Sequence, residues 1–225
     1  MLELILPAAV ESQECFGQPP DGVLFPEEQQ IIAHAVETRQ RDFAAVRSCA
    51  RACLGRLGYP RVPILPGLGG APTWPAGVQG SMTHCAGYAA AAVGPHRRIL
   101  AIGIDAEPDA PLPDGVLDLI ATAAEQDHLA MTQPEPDSPN FDRLLLSAKE
   151  SVYKAWFPLV GEWLDHHEVE ILINPHNQTF KAQLSRNGLT VGGRHIRHLH
   201  GRWTRKQGIL ATAVVLGSAV STAIC

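Results

Sequence analysis

Asp105 and Glu107 stand two apart in Gly103-Ile104-Asp105-Ala106-Glu107, where a hydrophobic run ends. In an extended chain, residues i and i+2 face the same way. Both carboxylates therefore point together, while Ile104 and Ala106 turn to the other face. Side-by-side carboxylates repel, and a hard divalent cation relieves that repulsion. Mg²⁺ prefers oxygen ligands and leaves positions for phosphate oxygens and water. Taken alone, the simpler reading is two exposed acids at a strand end.

A second group lies in Lys149-Glu150-Ser151-Val152-Tyr153-Lys154. On a wheel of 3.6 residues per turn, Phe141, Leu144, Leu145, Ala148, Val152, Ala155 and Trp156 make one apolar face. Glu150 and Lys154 fall nearly opposite it, at i and i+4 with the acid first. The plain reading is a surface ion pair worth about 0.3–0.5 kcal/mol. A third group is Thr83-His84, reached from Trp74-Pro75 through Gly80-Ser81-Met82. A hydroxyl beside an imidazole can bind phosphate, and equally it can lead a turn into a strand.

Other patterns carry less. His195, His198 and His200 form HxxHxH, but strand spacing puts only His198 and His200 on one face. His166-His167 reads as an exposed loop. No glycine run matches a phosphate-binding or dinucleotide fingerprint.

The elements that must position these groups follow from periodicity and breakers. Residues 2–6 read as a short strand. Pro26-Glu27-Glu28 opens a helical region, since Pro suits a first turn and acids favour its positive end. Apolar spacing continues the helical region to Leu57 as two helices or one bent one. Residues 58–80, rich in Pro and Gly, read mostly as loop. Residues 87–93 and 98–105 read as strands around the turn Gly94-Pro95-His96-Arg97. A helix is expected over 117–131 and a strong one over 141–157, closed by Pro158. Strands follow at 168–173 and 179–184, with a hairpin near 200–216 turning at Lys206-Gln207-Gly208. The class is α+β.

In this order, G-I-D-x-E and K-E-S-x-x-K, preceded by a Gly/Pro-rich stretch ending in Thr-His, resemble the surfactin-type and enterobactin-type 4'-phosphopantetheinyl transferases. The resemblance runs from about Arg41 to Trp156. It implies two similar α+β halves with small antiparallel sheets, related by a pseudo-two-fold. They are read here as residues 1–107 and 108–225, with coenzyme A between them. It implies Mg²⁺, or Mn²⁺ in its place, on Asp105, Glu107 and Glu150. Lys149 and Lys154 would line the pyrophosphate. Thr83, His84 and an arginine of the first helical region, Arg47 or else Arg41, would meet the adenosine 3'-phosphate end. Glu150 is then the candidate base and Lys154 the group that steadies the leaving group. The partners implied are apo acyl or peptidyl carrier proteins of fatty-acid, polyketide or peptide synthesis. Two other readings use the same residues: a Mg²⁺-dependent phosphate or pyrophosphate hydrolase, and a non-catalytic carrier-binding module.

The bulk composition agrees. A net charge of −5 over 225 residues gives no global basic field, so nucleic acid is not an expected partner. Cys15, Cys49, Cys53, Cys85 and Cys225 include no CxxC, and reduced cytoplasmic thiols are expected. The N-terminus lacks the features of a signal peptide. The uncharged segment 209–225 is diluted by Thr212, Gly217, Ser218, Ser221 and Thr222, and reads as a buried strand with a short tail rather than a membrane span. A cytoplasmic monomer is expected.

Overall fold

A computed structural model of the chain describes residues 1–17, 23–132, 137–185, 188–191 and 194–218. The first element differs from expectation. Leu2–Leu4 is a 3-10 turn, not a strand. Its residues bury with helical spacing: Leu2 and Ile5 are covered, while Leu4 is exposed. A strand could not turn Leu2 and Ile5 to one side. Both pack with Ile102 and Ile104.

Strand β1 (Glu11–Phe16) follows, then helices α1 (Pro26–Ile32) and α2 (Glu37–Arg56). The expected helical region is thus two helices. Strands β2 (Val78–Cys85), β3 (Tyr88–Pro95) and β4 (Ile99–Pro108) come next. The single helix expected over 117–131 is broken into α3 (Val116–Ile120) and α4 (Ala123–Met131). Thr122 causes the break by capping α4: Glu125 N donates to its Oγ1 at 3.2 Å, and its own N donates to Glu125 Oε2 at 2.7 Å. Helix α5 (Phe141–Val160) runs past Pro158 and ends at Gly161, whose φ of 72° places it in the left-handed region.

The last third holds β5 (Val169–Asn174), β6 (Thr179–Leu184), β7 (Leu189–Val191), β8 (Arg194–Ile196), β9 (His198–Lys206) and β10 (Ile209–Gly217). The terminal uncharged segment is therefore a strand as far as Gly217, and residues 219–225 lie outside the described residues. Among the described residues, no helix is long and apolar enough to cross a membrane.

The strands form a three-stranded sheet in the order β1-β3-β2, a five-stranded sheet in the order β4-β10-β9-β6-β5, and the hairpin β7-β8. Every pairing is antiparallel. Each of the larger sheets carries a helix of 20 residues. Helix α2 packs Cys49, Ala50, Cys53 and Leu54 against Ala91 and Val93. Helix α5 packs Leu145, Ala148, Val152 and Trp156 against the second sheet, with Phe180, Leu210 and Val214. The arrangement is α+β.

Strand β4 joins the two layers. It pairs with β10, Asp105 opposite Thr212, and so belongs to the second sheet. Its other side meets hydroxyls of β2: Ile104 N donates to Ser81 Oγ and Ala106 N to Thr83 Oγ1, each at 3.1 Å. The division expected after residue 107 therefore falls at the end of a strand that both layers hold.

Candidate active site

Gly103 sets the site. A Cβ built on it would lie 1.9 Å from the carbonyl oxygen of Ser151. Only glycine lets the backbone of α5 come so close to β4. Gly103, Asp105 and Glu107 share one face of β4 by alternation. The contact at Gly103 therefore brings the next turns of α5 over Asp105. Ile104 and Ala106 face the other way into a separate apolar cluster.

Lys154 is the result of that approach. Its Nζ donates to Oδ1 of Asp105 at 2.6 Å. Thr83 Oγ1 donates to the same oxygen at 3.3 Å. The second oxygen of Asp105, Oδ2, is buried and, among the described residues, accepts no hydrogen bond. A buried carboxylate oxygen without a partner costs about 1–3 kcal/mol or more. It is a position where a cation would be favoured. Glu107 instead accepts from Arg143 Nη1 at 3.2 Å. Burial raises the Glu107 carboxyl above the usual range, with Asp105 adding to the rise and Arg143 opposing it. Glu150 is half-buried beside Lys154, and burial raises its carboxyl as well.

Among the described residues, no three or more His, Cys, Asp or Glu side chains are gathered so as to hold a metal ion by themselves. The physical reason lies in the pairs just described: Lys154 draws on Asp105, and Arg143 draws on Glu107. The donor set still suits a hard cation in part. Asp105 Oδ2 and the Glu150 carboxylate are oxygen donors with no hydrogen bond among the described residues.

Glu150 and Lys154 line one wall of a cavity of about 480 Å³. Tyr153 and Phe157 of α5 share that wall. Arg39, Phe43 and Arg47 of α2 line it from the other layer, with Trp74, Ser81, Met82 and His84 between. Arg47 is buried: its Nε donates to Ile64 O at 2.9 Å, and its guanidinium lies 3.1 Å over the Phe43 ring. Burial lowers its pKa to about 10. Arg39 Nη1 lies 2.9 Å from His84 Nε2. A guanidinium only donates, so Nε2 accepts and the ring proton sits on Nδ1, which faces Asp42 at 3.6 Å. Burial holds the His84 pKa below its ordinary value, so the ring is neutral near pH 7. Cation and aromatic surface thus alternate along one cleft.

Two expected site residues lie elsewhere. Arg41 is exposed and, among the described residues, pairs with Glu37 in the neighbouring turn, at 4.0 Å. Lys149 does not enter the cleft. Its side chain is fully buried, and Nζ donates to Glu125 Oε2 at 2.8 Å and to Val169 O at 2.9 Å. One residue on a helix is about 100° of rotation. Lys149 therefore faces α4 and β5 while Glu150 faces the cleft. Arg39 and Arg143 are polar site residues the sequence reading missed. Arg39 lies one turn before Phe43 and two turns before Arg47, a helical stripe that could have marked it. Arg143 has no such signal.

Fold and site together define the class: an α+β protein whose two layers enclose a cationic, aromatic-walled cleft ending on a carboxylate–lysine pair. That is equipment for handling a phosphorylated ligand. Residues 27–94 match the 4'-phosphopantetheinyl transferase N-terminal domain, and residues 101–210 match the 4'-phosphopantetheinyl transferase superfamily. The chain is 46% identical over 226 residues to 4'-phosphopantetheinyl transferase Svp of Streptomyces mobaraensis, covering 99% of this chain and 92% of that protein. It is 45% identical to 4'-phosphopantetheinyl transferase Npt of Nocardia iowensis, over 95% of this chain and 99% of the relative. It is 41% identical to 4'-phosphopantetheinyl transferase PptT of Mycobacterium tuberculosis, over 94% and 96%. The chain belongs to the 4'-phosphopantetheinyl transferase superfamily and is a transferase of that class.

Proposed function

We propose that the enzyme moves the 4'-phosphopantetheine arm of coenzyme A onto a serine of an apo acyl or peptidyl carrier protein, releasing adenosine 3',5'-bisphosphate. The observation that carries this reading is the Asp105–Lys154 contact of 2.6 Å, with Glu150 beside it, at a cleft also lined by Arg39, Arg47 and His84. Two sets of charged groups on one cleft suit the two phosphate-bearing parts of coenzyme A.

The chemistry then runs as follows. The carrier serine Oγ attacks the phosphorus bearing pantetheine, and the bond from that phosphorus to the bridging oxygen breaks. The serine proton passes to Glu150. Burial raises the Glu150 carboxyl above its ordinary value, which strengthens it as a proton acceptor. Lys154 offers a positive charge to the oxygen that leaves. Arg47, Arg39 and neutral His84 hold the 3'-phosphate end, and Trp74, Phe43 and Tyr153 supply apolar faces for the remainder. Thr83 orients Asp105 through Oδ1. A Mg²⁺ or Mn²⁺ ion on Asp105 and Glu150, with Glu107 drawn from Arg143, would neutralise phosphate charge as it develops. No covalent enzyme intermediate is needed.

Incubation with coenzyme A, Mg²⁺ and a panel of apo carriers, read by intact-protein mass, tests the reading. A carrier that gains the phosphopantetheine mass supports it. Phosphate release without carrier modification would make the protein a hydrolase instead, and carrier binding without turnover would make it a binding module.

A further inference from the structure

Glu28, at the start of α1, is wholly buried, an unusual place for a carboxylate. It accepts from three directions. Phe25 N donates to Oε2 at 2.9 Å, Ile64 N donates to Oε1 at 2.8 Å, and Arg51 Nη1 donates to Oε1 at 2.8 Å. Arg47 Nε lies 3.6 Å from the same Oε1. Arg51, itself buried, is completed by a bond from Nη2 to Val23 O. One carboxylate thus ties together the N-terminus of α1, the loop at Ile64 and two arginines of α2.

The arrangement around Arg47 is directional. Its Nε donates to Ile64 O, the carbonyl of the residue whose N–H Glu28 holds. Its Nη1 donates back to Phe43 O at 3.2 Å. Among the described residues, Nη2 makes no hydrogen bond. Arg47 lines the cleft, so the nitrogen left over belongs to the end of the side chain that a ligand meets.

We infer that Glu28 is a positioning residue for the cleft: it fixes Ile64 and balances the charge of the paired arginines, so that Arg47 keeps its place and presents Nη2 to a ligand phosphate. This inference rests on the proposed role of Arg47 at the 3'-phosphate end. The local charges support it. Burial and the neighbouring guanidinium groups of Arg51 and Arg39 all lower the Arg47 pKa, and Glu28 is the group that opposes them. Two buried guanidinium groups on adjacent turns would otherwise repel.

The test uses Glu28→Gln, which keeps the shape and removes the charge. Affinities for adenosine 3',5'-bisphosphate and for adenosine 5'-monophosphate are measured by calorimetry on both proteins. Wild type should prefer the bisphosphate. The variant should bind the bisphosphate about 10-fold more weakly, the scale of one charge-assisted hydrogen bond, and the monophosphate within about 2-fold. With coenzyme A as substrate, KM should rise while kcat at saturation stays within about 3-fold. Glu28→Asp retains the charge on a shorter stem and should give a smaller loss of the same kind.

Equal weakening of both nucleotides, or an unchanged preference, would overturn the inference and leave Glu28 a purely structural residue. Failure of both variants to fold would do the same. A wild type that prefers the bisphosphate but modifies no carrier would break the proposed function and leave the Glu28 inference standing.

Discussion

Lys154 Nζ meets Asp105 at 2.6 Å through Oδ1 alone, and Oδ2 of that carboxylate is buried with no hydrogen-bond partner among the described residues. A strand and a helix have been brought together so that half of an acid is neutralised and half is not. Activity is therefore expected to require Mg²⁺ or Mn²⁺ and to stop in EDTA. Asp105→Ala should abolish turnover while weakening coenzyme A binding less. Mn²⁺ binding, followed by its electron spin resonance, should tighten when coenzyme A is present, because phosphate oxygens complete the ligand set. Full activity in EDTA would remove the metal from the mechanism.

Glu150→Gln and Lys154→Ala should each lower kcat by about 10²-fold or more, the range for a proton acceptor or a charge-stabilising group. The pH behaviour separates the two. Burial raises the Glu150 carboxyl, so its basic form is lost as pH falls through a value above the usual ~4.3. The acid limb of kcat/KM should lie there and vanish in Glu150→Gln. Stability should move the other way. A carboxyl raised on folding favours the fold while protonated, and that contribution is lost as pH rises through the raised value. Glu150→Gln should thus keep or raise Tm at pH 7 while losing activity. A near-normal rate would return Glu150 to a surface ion pair.

Among the other cleft residues, Arg47→Ala, Arg39→Ala and His84→Ala should raise KM for coenzyme A about 10-fold or more with a smaller effect on kcat. Each should narrow the preference for coenzyme A over dephospho-coenzyme A. Arg41→Ala, on an exposed side chain outside the cleft, should change neither. An unaltered preference in the first three would show that the 3'-phosphate lies elsewhere.

The legible parts of the site were those where one element's periodicity fixes direction. Alternation put Asp105 and Glu107 on a shared face, and the helical wheel put Val152 and Trp156 in the core and Glu150 and Lys154 away from it. Partners across elements were not legible. Nothing local to Arg143 says that it will reach Glu107, and nothing local to Lys149 says that Glu125 waits for it. Strand β1, Glu-Ser-Gln-Glu-Cys-Phe, is a polar edge held by its pairing with β3 and lacks the alternation that would announce it. The break between α3 and α4 was readable in principle, since Thr122 and Glu125 form a capping box in sequence as well as in space.

Gly103→Ala tests the approach of α5 to β4. The added methyl would meet Ser151 O at 1.9 Å and the backbone nitrogen of Ala155 at 2.6 Å, neither of which can move without the helix. Overpacking of this kind costs about 1–3 kcal/mol or more. The variant should have a lowered Tm, and in its folded fraction kcat should drop, because Lys154 moves with the helix. A stable, fully active Gly103→Ala enzyme would show that the close contact is not what sets the Asp105–Lys154 distance.

Lys149 decides between the motif and the fold. It stands next to Glu150 in sequence, yet its ammonium is enclosed with Glu125, and Glu125 in turn accepts from Ile171 N at 2.7 Å and from Thr122 N. The pair therefore pins α4 and β5 to the back of α5. Removing one member of a buried, hydrogen-bonded ion pair leaves the other uncompensated, at a cost of about 3–5 kcal/mol. Lys149→Met should accordingly show a large fall in Tm, and its surviving folded protein should keep kcat and KM within about 3-fold. Adding Glu125→Gln to it should recover part of the loss, since the stranded charge is then gone. Charge removal at Lys149 cannot affect a pyrophosphate in the cleft if the ammonium never faces it. A Lys149→Met enzyme that is stable but has lost turnover would mean that the side chain leaves Glu125 for the ligand, and would return Lys149 to the active site.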